Sequence, residues 1–329
     1  MSIRSETADL TSVTADLTVS FDRAVNRQDA KVRLAGIECL RVAATLQVLC
    51  FHALRHPLDL GGSAVLMTLA VALAADTHPG LSWKAVLEKR VQRLLLPFIF
   101  WSGFYAVVRI VRAFLSGKPL AELFDPWMLI AGTEDHLWFL PACFVFTGIV
   151  GALSANGQLP HGLKGCSAWA VSAGVAVWFC DWAIQFIPRD GFMPLFGWVK
   201  VLPAVFVALS LAALPKIPRD RFLGLALLAS LVLLASVSTW LWGLGLLASP
   251  QGVGVFACAL AWAVKGRAPA LLTRLGVLTY GVYLIQFFVL AVLNKLLHVR
   301  RGFILLLLAT ISSFLLAEVL RHTPVRRFI

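Results

Sequence analysis

The sequence predicts an all-α fold, a polytopic membrane helical bundle of about ten transmembrane helices. Three observations predict it. Hydrophobic residues make up 59% of the chain and charged residues only 14%, with a mean hydropathy of +0.83. Several apolar runs approach the roughly 20 residues a helix needs to cross hydrocarbon. Basic residues gather in alternate connecting segments, the pattern of a membrane domain with one cytoplasmic face.

Residues 1–33 are polar and repeat a short phrase, Thr7-Ala8-Asp9-Leu10-Thr11 and Thr14-Ala15-Asp16-Leu17-Thr18. No small-residue cleavage site follows an early apolar core, so this stretch reads as a disordered cytoplasmic tail and not as a signal peptide. Residues 34–329 read as one membrane domain. Its expected spans are 34–56, 60–75, 94–115, 136–154, 167–187, 195–214, 221–238, 243–264, 277–297 and 303–320.

The first span carries the most informative pair. Arg41 and His52 lie eleven residues apart among Leu40, Val42, Leu46, Val48 and Leu49. Eleven steps of about 100° bring both to one helix face, separated by roughly 16 Å along the axis. Glu38 and Thr45 fall on the same side, and Glu38 is placed to pair with Arg41. An intramembrane Arg costs roughly 2.5 to 3.5 kcal/mol to insert, so such groups face a bundle interior or a water-filled cavity.

The segment before the third span holds Lys84, Lys89, Arg90 and Arg93, followed by Leu94-Leu95-Leu96-Pro97. A helix there would project Arg90 and Arg93 to one side, and paired guanidinium forks suit phosphate oxygens. The fourth span opens on Glu134-Asp135-His136-Leu137-Trp138-Phe139-Leu140-Pro141. Trp138 suits a membrane interface, and the acidic pair beside His136 offers polar chemistry at the same level. Arg109, Asp181 and Lys200 also fall towards the outer half. Trp240, Trp242, Pro250 and Gln251 interrupt the apolar stretch that supplies the seventh and eighth spans.

Orientation follows from the cations. With the N-terminus inside, cytoplasmic segments include the Lys84–Arg93 group, Lys164, Lys216, Arg219, Arg221, Lys265, Arg267, Arg274, Arg321, Arg326 and Arg327, against Arg55, Lys118, Arg189, Arg300 and Arg301 outside. The protein is therefore expected as a multi-pass component of the inner (cytoplasmic) membrane, with N- and C-termini cytoplasmic. The same distribution accounts for the net charge of +12. No basic helix or aromatic-studded sheet accompanies it, which excludes a nucleic-acid partner in favour of membrane lipids and anionic cytosolic molecules. The six cysteines show no paired spacing and read as small apolar packing residues, with no metal site expected.

Taken together, Gly36-Ile37-Glu38-x-Leu40-Arg41-Val42-x-Ala44 continuing to His52, then Arg90-x-x-Arg93-Leu94-x-x-Pro97, then His136-Leu137-Trp138-Phe139-Leu140-Pro141 resemble the acyltransferase 3 family of membrane acyltransferases. A fourth matching stretch is Leu275-Gly276-x-x-Thr279-Tyr280-Gly281-Val282-Tyr283-Leu284. The resemblance implies an integral-membrane O-acyltransferase. Its donor substrate would be a cytoplasmic acyl-CoA, commonly acetyl-CoA, and its acceptor a carbohydrate such as an exopolysaccharide or lipid-linked sugar. Arg41 and His52 become its functional pair, with Arg90 and Arg93 on the donor side.

Acyl transfer from a thioester to a hydroxyl needs a proton acceptor and donors for the developing oxyanion. An imidazole, with its ordinary pKa of about 6.5, keeps a neutral fraction near pH 7, which assigns His52 as general base. Arg41 does not deprotonate and offers five donors for a phosphate or amide of the CoA arm, supported by Glu38. His136, Asp135 and Trp138 fall on the acceptor side. Two departures from the family pattern stand out: residues 61–75 lack a Phe-rich, Ser-Gly second span, and Gln286 stands where a His often follows the Tyr-Leu segment. They motivate one alternative, a catalytically inactive acyltransferase-like partner protein. A polar-solute transporter is the other, although residues 34–187 and 195–320 show no repeat of the kind such proteins carry.

Overall fold

Helix α1, Ala35–Ala53, is tied at both ends by main-chain hydrogen bonds. The Ala35 N–H donates to Gly266 O at 3.0 Å, and the Ala53 carbonyl accepts from the Gly302 N–H at 2.9 Å. These bonds satisfy groups that a helix leaves orphaned at its termini. The computed structural model describes residues 35–54, 61–76, 82–117, 119, 123–187, 193–215, 217–241, 258, 266–297 and 302–329. Among them all regular structure is helical.

After α1 come α2 (Gly62–Ala75), α3 (Trp83–Arg90), a π turn (Val91–Leu95), α4 (Leu96–Ser116), the short α5 (Met128–Ala131), α6 (Phe139–Ala155) and α7 (Gly162–Ile184). Then follow α8 (Met193–Ala212), α9 (Pro218–Leu241), α10 (Ala270–Leu297), α11 (Phe303–Arg321) and a closing 3-10 turn (Pro324–Phe328). Seven helical runs among the described residues are long and apolar enough to cross a membrane: α1, Trp83–Ser116, α7, α8, α9, α10 and α11. The shorter apolar helices α2 and α6 stand where the second and fourth spans were expected. The expected eighth span, Cys258 apart, and the polar tail lie outside the described residues.

The third span begins eleven residues earlier than its hydropathy suggests. Ser82 caps α3 by accepting the Ala85 N–H at 3.2 Å, and the helix continues through the π turn into α4 as one run. Polar Lys84, Glu88, Lys89 and Arg90 hide this helical start from a hydropathy reading.

Helix α2 packs between α1, α6 and α8, and Ala64, Ala72, Ala74 and Ala75 let it approach them closely. Polar hydroxyls complete the seams. Thr68 donates across to Ala204 O at 3.3 Å, and Ser154 of α6 donates to Ala75 O at 2.7 Å at the end of α2. Helix α10 packs on α1 and α11 and buries Val282, Leu284 and Ile285. Outward-facing positions remain apolar, as with Phe114 at 85% and Phe303 at 73% exposed, the composition lipid requires.

Candidate functional site

His52 ends the last turn of α1 and lines two cavities. One, of about 680 Å³, is formed with Tyr105, Arg112, Glu134, Asn294 and Lys295. The other, of about 400 Å³, joins it to Gln47, Asp135, His136, Trp138 and Lys200. Phe287 lines both, so the imidazole of His52 and the ring of Phe287 form the shared wall. Four residues singled out in the sequence, His52, Asp135, His136 and Trp138, thus meet around one space.

Phe287 contacts both imidazoles. Its ring meets His52 edge-on at 4.4 Å and stacks on His136 at 4.2 Å with an interplanar angle of 7°. His136 is buried, with Nε2 3.3 Å from the Leu284 carbonyl. A carbonyl only accepts, so Nε2 carries the proton and Nδ1 is left as the ring's acceptor. That Nδ1 is buried with no hydrogen-bond partner among the described residues.

Two tyrosines hold this arrangement. Tyr283 donates to the His136 carbonyl. The Tyr105 hydroxyl donates to Leu284 O at 2.7 Å and accepts from the Phe288 N–H at 3.3 Å. It therefore sits between the two main-chain groups that an uninterrupted α-helix would join directly, beside Phe287. Neither role carries a sequence signature.

The walls are shaped by two close approaches. A Cβ at Gly197 would lie 2.6 Å from the Trp138 ring, so glycine is what seats the indole against α8. Gln47 Oε1 accepts the Gly62 N–H at 2.8 Å, which caps α2 and anchors one side of the smaller cavity. On the outer rim, Arg109 donates to Leu123 O at 3.1 Å and pairs with Glu134 at 3.5 Å. Burial pushes the Glu134 carboxyl above the ordinary carboxylate range, and Arg109 opposes that.

Arg41 and Glu38 do not line these cavities. They pair at 3.4 Å, with the Glu38 side chain buried and the Arg41 side chain 25% exposed. Glu38 is accommodated by Gly276, where a Cβ would fall 1.8 Å from Oε2. The first and fourth sequence motifs are thus in direct contact.

The π turn falls on the arginine motif and sets its two members in different surroundings. Arg90 is half-buried and within electrostatic reach of Cys143, whereas Arg93 is exposed. Pro97 lacks the N–H that an α-helix would offer to the Arg93 carbonyl. Tyr280 donates its hydroxyl to that carbonyl at 3.0 Å instead. Among the described residues no His, Cys, Asp and Glu cluster suits a metal ion.

A family model described as an acyltransferase domain, that of the acyltransferase 3 family, matches residues 34–322. No curated protein and no solved structure matches.

Proposed function

The chain belongs to this acyltransferase family, and on that premise we propose that it transfers an acyl group, acetyl in the simplest case, from cytoplasmic acyl-CoA to a carbohydrate hydroxyl. The observation that carries the reading is the meeting of His52, His136, Asp135 and Trp138 around one cavity, with a second cavity also lined by His52.

His52 accepts the proton of the acceptor hydroxyl as its oxygen attacks the thioester carbonyl. The tetrahedral intermediate collapses with cleavage of the C–S bond, and the imidazolium returns the proton to the departing thiolate. Lys200, on the same cavity, supplies positive charge for the oxyanion. His136 Nδ1, lacking a protein donor, receives a second hydroxyl of the acceptor and orients it. Arg41 holds the CoA arm, steadied by Glu38, and Arg90 and Arg93 take the phosphorylated end by charge-assisted forks.

The test is reconstitution of the full chain in nanodiscs with acetyl-CoA labelled in the acetyl group and a panel of polysaccharides and lipid-linked sugars. Transfer of label to an O-ester that mild base removes supports the reading. Label that stays on CoA with every acceptor, and no acetyl-CoA hydrolysis, would overturn it.

A further inference from the structure

Beyond the site above, a cavity of about 470 Å³ opens between α10, α11 and the closing 3-10 turn, lined by Leu278, Gly281, Ala317, Arg321, Arg326 and Arg327. Three arginines lining one concave surface are more than scattered loop cations. Arg321 is already engaged by Glu318 at 3.2 Å, and Glu318 also holds Arg274 at 2.6 Å. Arg326 and Arg327 have no acidic partner among the described residues.

These two arginines are also held in place. Here the Phe328 ring stacks on Phe100 at 4.4 Å and 3°, and the Trp101 indole donates to the Phe328 carbonyl at 2.9 Å. Thr323 starts the turn by accepting the Val325 N–H at 3.3 Å. The turn is therefore clamped to α4, which follows directly on the Arg90 and Arg93 motif. Tyr280 binds the Arg93 carbonyl while its neighbour Gly281 forms a wall of the cavity.

We infer that Arg321, Arg326 and Arg327 form a phosphate-binding site. In the donor reading of the previous subsection, on which the assignment to a particular ligand rests, it takes the pyrophosphate or ribose 3′-phosphate of CoA. Paired guanidinium forks on a fixed turn suit such groups because little side-chain freedom is lost on binding. A phospholipid headgroup presents the same chemistry from another source.

The experiment measures binding of CoA, 3′-dephospho-CoA and pantetheine to the full chain in phosphatidylcholine nanodiscs, for the wild type, Arg326→Gln/Arg327→Gln and Arg326→Lys/Arg327→Lys. The glutamine pair is expected to weaken CoA about tenfold or more while leaving pantetheine unchanged, and the lysine pair to recover part of the loss. Nanodiscs containing phosphatidylglycerol, read by native mass spectrometry, separate the sources. Loss of bound phosphatidylglycerol in the glutamine pair, with CoA affinity intact, keeps the phosphate site and assigns it to a headgroup. CoA affinity and phosphatidylglycerol retention both within twofold of wild type overturn the site. A wild type that binds none of the CoA probes overturns the donor reading, whatever the lipid result.

Discussion

The Phe287 and His136 rings lie parallel with their centroids 4.2 Å apart, and His52 meets the same Phe287 at 4.4 Å with an interplanar angle of 60°. One phenyl group therefore touches two imidazoles and borders two cavities at once. Replacing it with Ala should join the cavities and lose the positioning of both rings. We expect the acyl-transfer rate to fall on the order of 10²-fold, with a larger share of acetyl-CoA hydrolysed by water. Rates and partition both within twofold of wild type would remove the wall from the mechanism.

His52→Ala should reduce transfer by about 10²- to 10⁴-fold, the usual contribution of a positioned general base. The thermal transition should stay within a few degrees, since His52 is only half-buried. His136→Ala, by contrast, should act mainly through a raised acceptor KM. Steady-state kinetics with each substrate varied in turn discriminates the two, and wild-type turnover by His52→Ala would contradict its assigned role.

Gly276→Ala would place a methyl group 1.8 Å from Glu38 Oε2 and force the carboxylate away from Arg41. Overpacking of this kind costs about 1–3 kcal/mol. Combining it with Glu38→Ala should give less than the sum of the two losses, because both act on one contact. Additive shifts in a thermal unfolding series would show that Gly276 and Glu38 act independently.

Tyr280→Phe should leave the Arg93 carbonyl without the hydroxyl that Pro97 makes necessary. A cost of about 0.5–1.5 kcal/mol follows from losing one hydrogen bond at an exposed main-chain acceptor. The functional signature is a raised KM for acyl-CoA with little change in kcat. An unchanged donor KM would mean that the π turn holds its shape without Tyr280.

Gln286 is fully buried, and neither its amide oxygen nor its nitrogen has a hydrogen-bond partner among the described residues. Gln286→Met keeps the volume and removes two unsatisfied polar groups, so it should stabilise the protein by about 1–3 kcal/mol. Differential scanning calorimetry in detergent checks this, and a lower melting temperature would reveal an unrecognised role for the amide.

The helical class and the helix-rich architecture were readable because apolar runs declare themselves in any solvent model. The sequence placed His52, His136, Asp135 and Trp138 towards the outer half, and their meeting around one cavity emerges from the structure, since spacing along a chain says little about which helices pack together. Lys200 illustrates the difficulty: its depth was legible, whereas its place on the His52 cavity depends on α8 packing beside α2. Tyr105 escaped notice altogether, because a tyrosine that enters another helix's hydrogen-bond ladder looks in sequence like any interfacial aromatic. Gly276 is comparable, as its reason is the Glu38 carboxylate on a different helix.

The π turn at Val91–Leu95 inserts one surplus residue between α3 and α4. Its consequence is a phase offset: side chains upstream of the turn are rotated relative to those downstream, compared with a continuous α-helix. A continuous α-helix that kept all the residues would swing the Lys84–Arg90 face by about 100° against the rest of the bundle, whereas excising a single position between Val91 and Leu95 would restore regular winding and leave that face where it is. The widened turn is thus what lets Arg90 keep its orientation against α4 despite the extra position, with every aromatic clamp on α4 left intact.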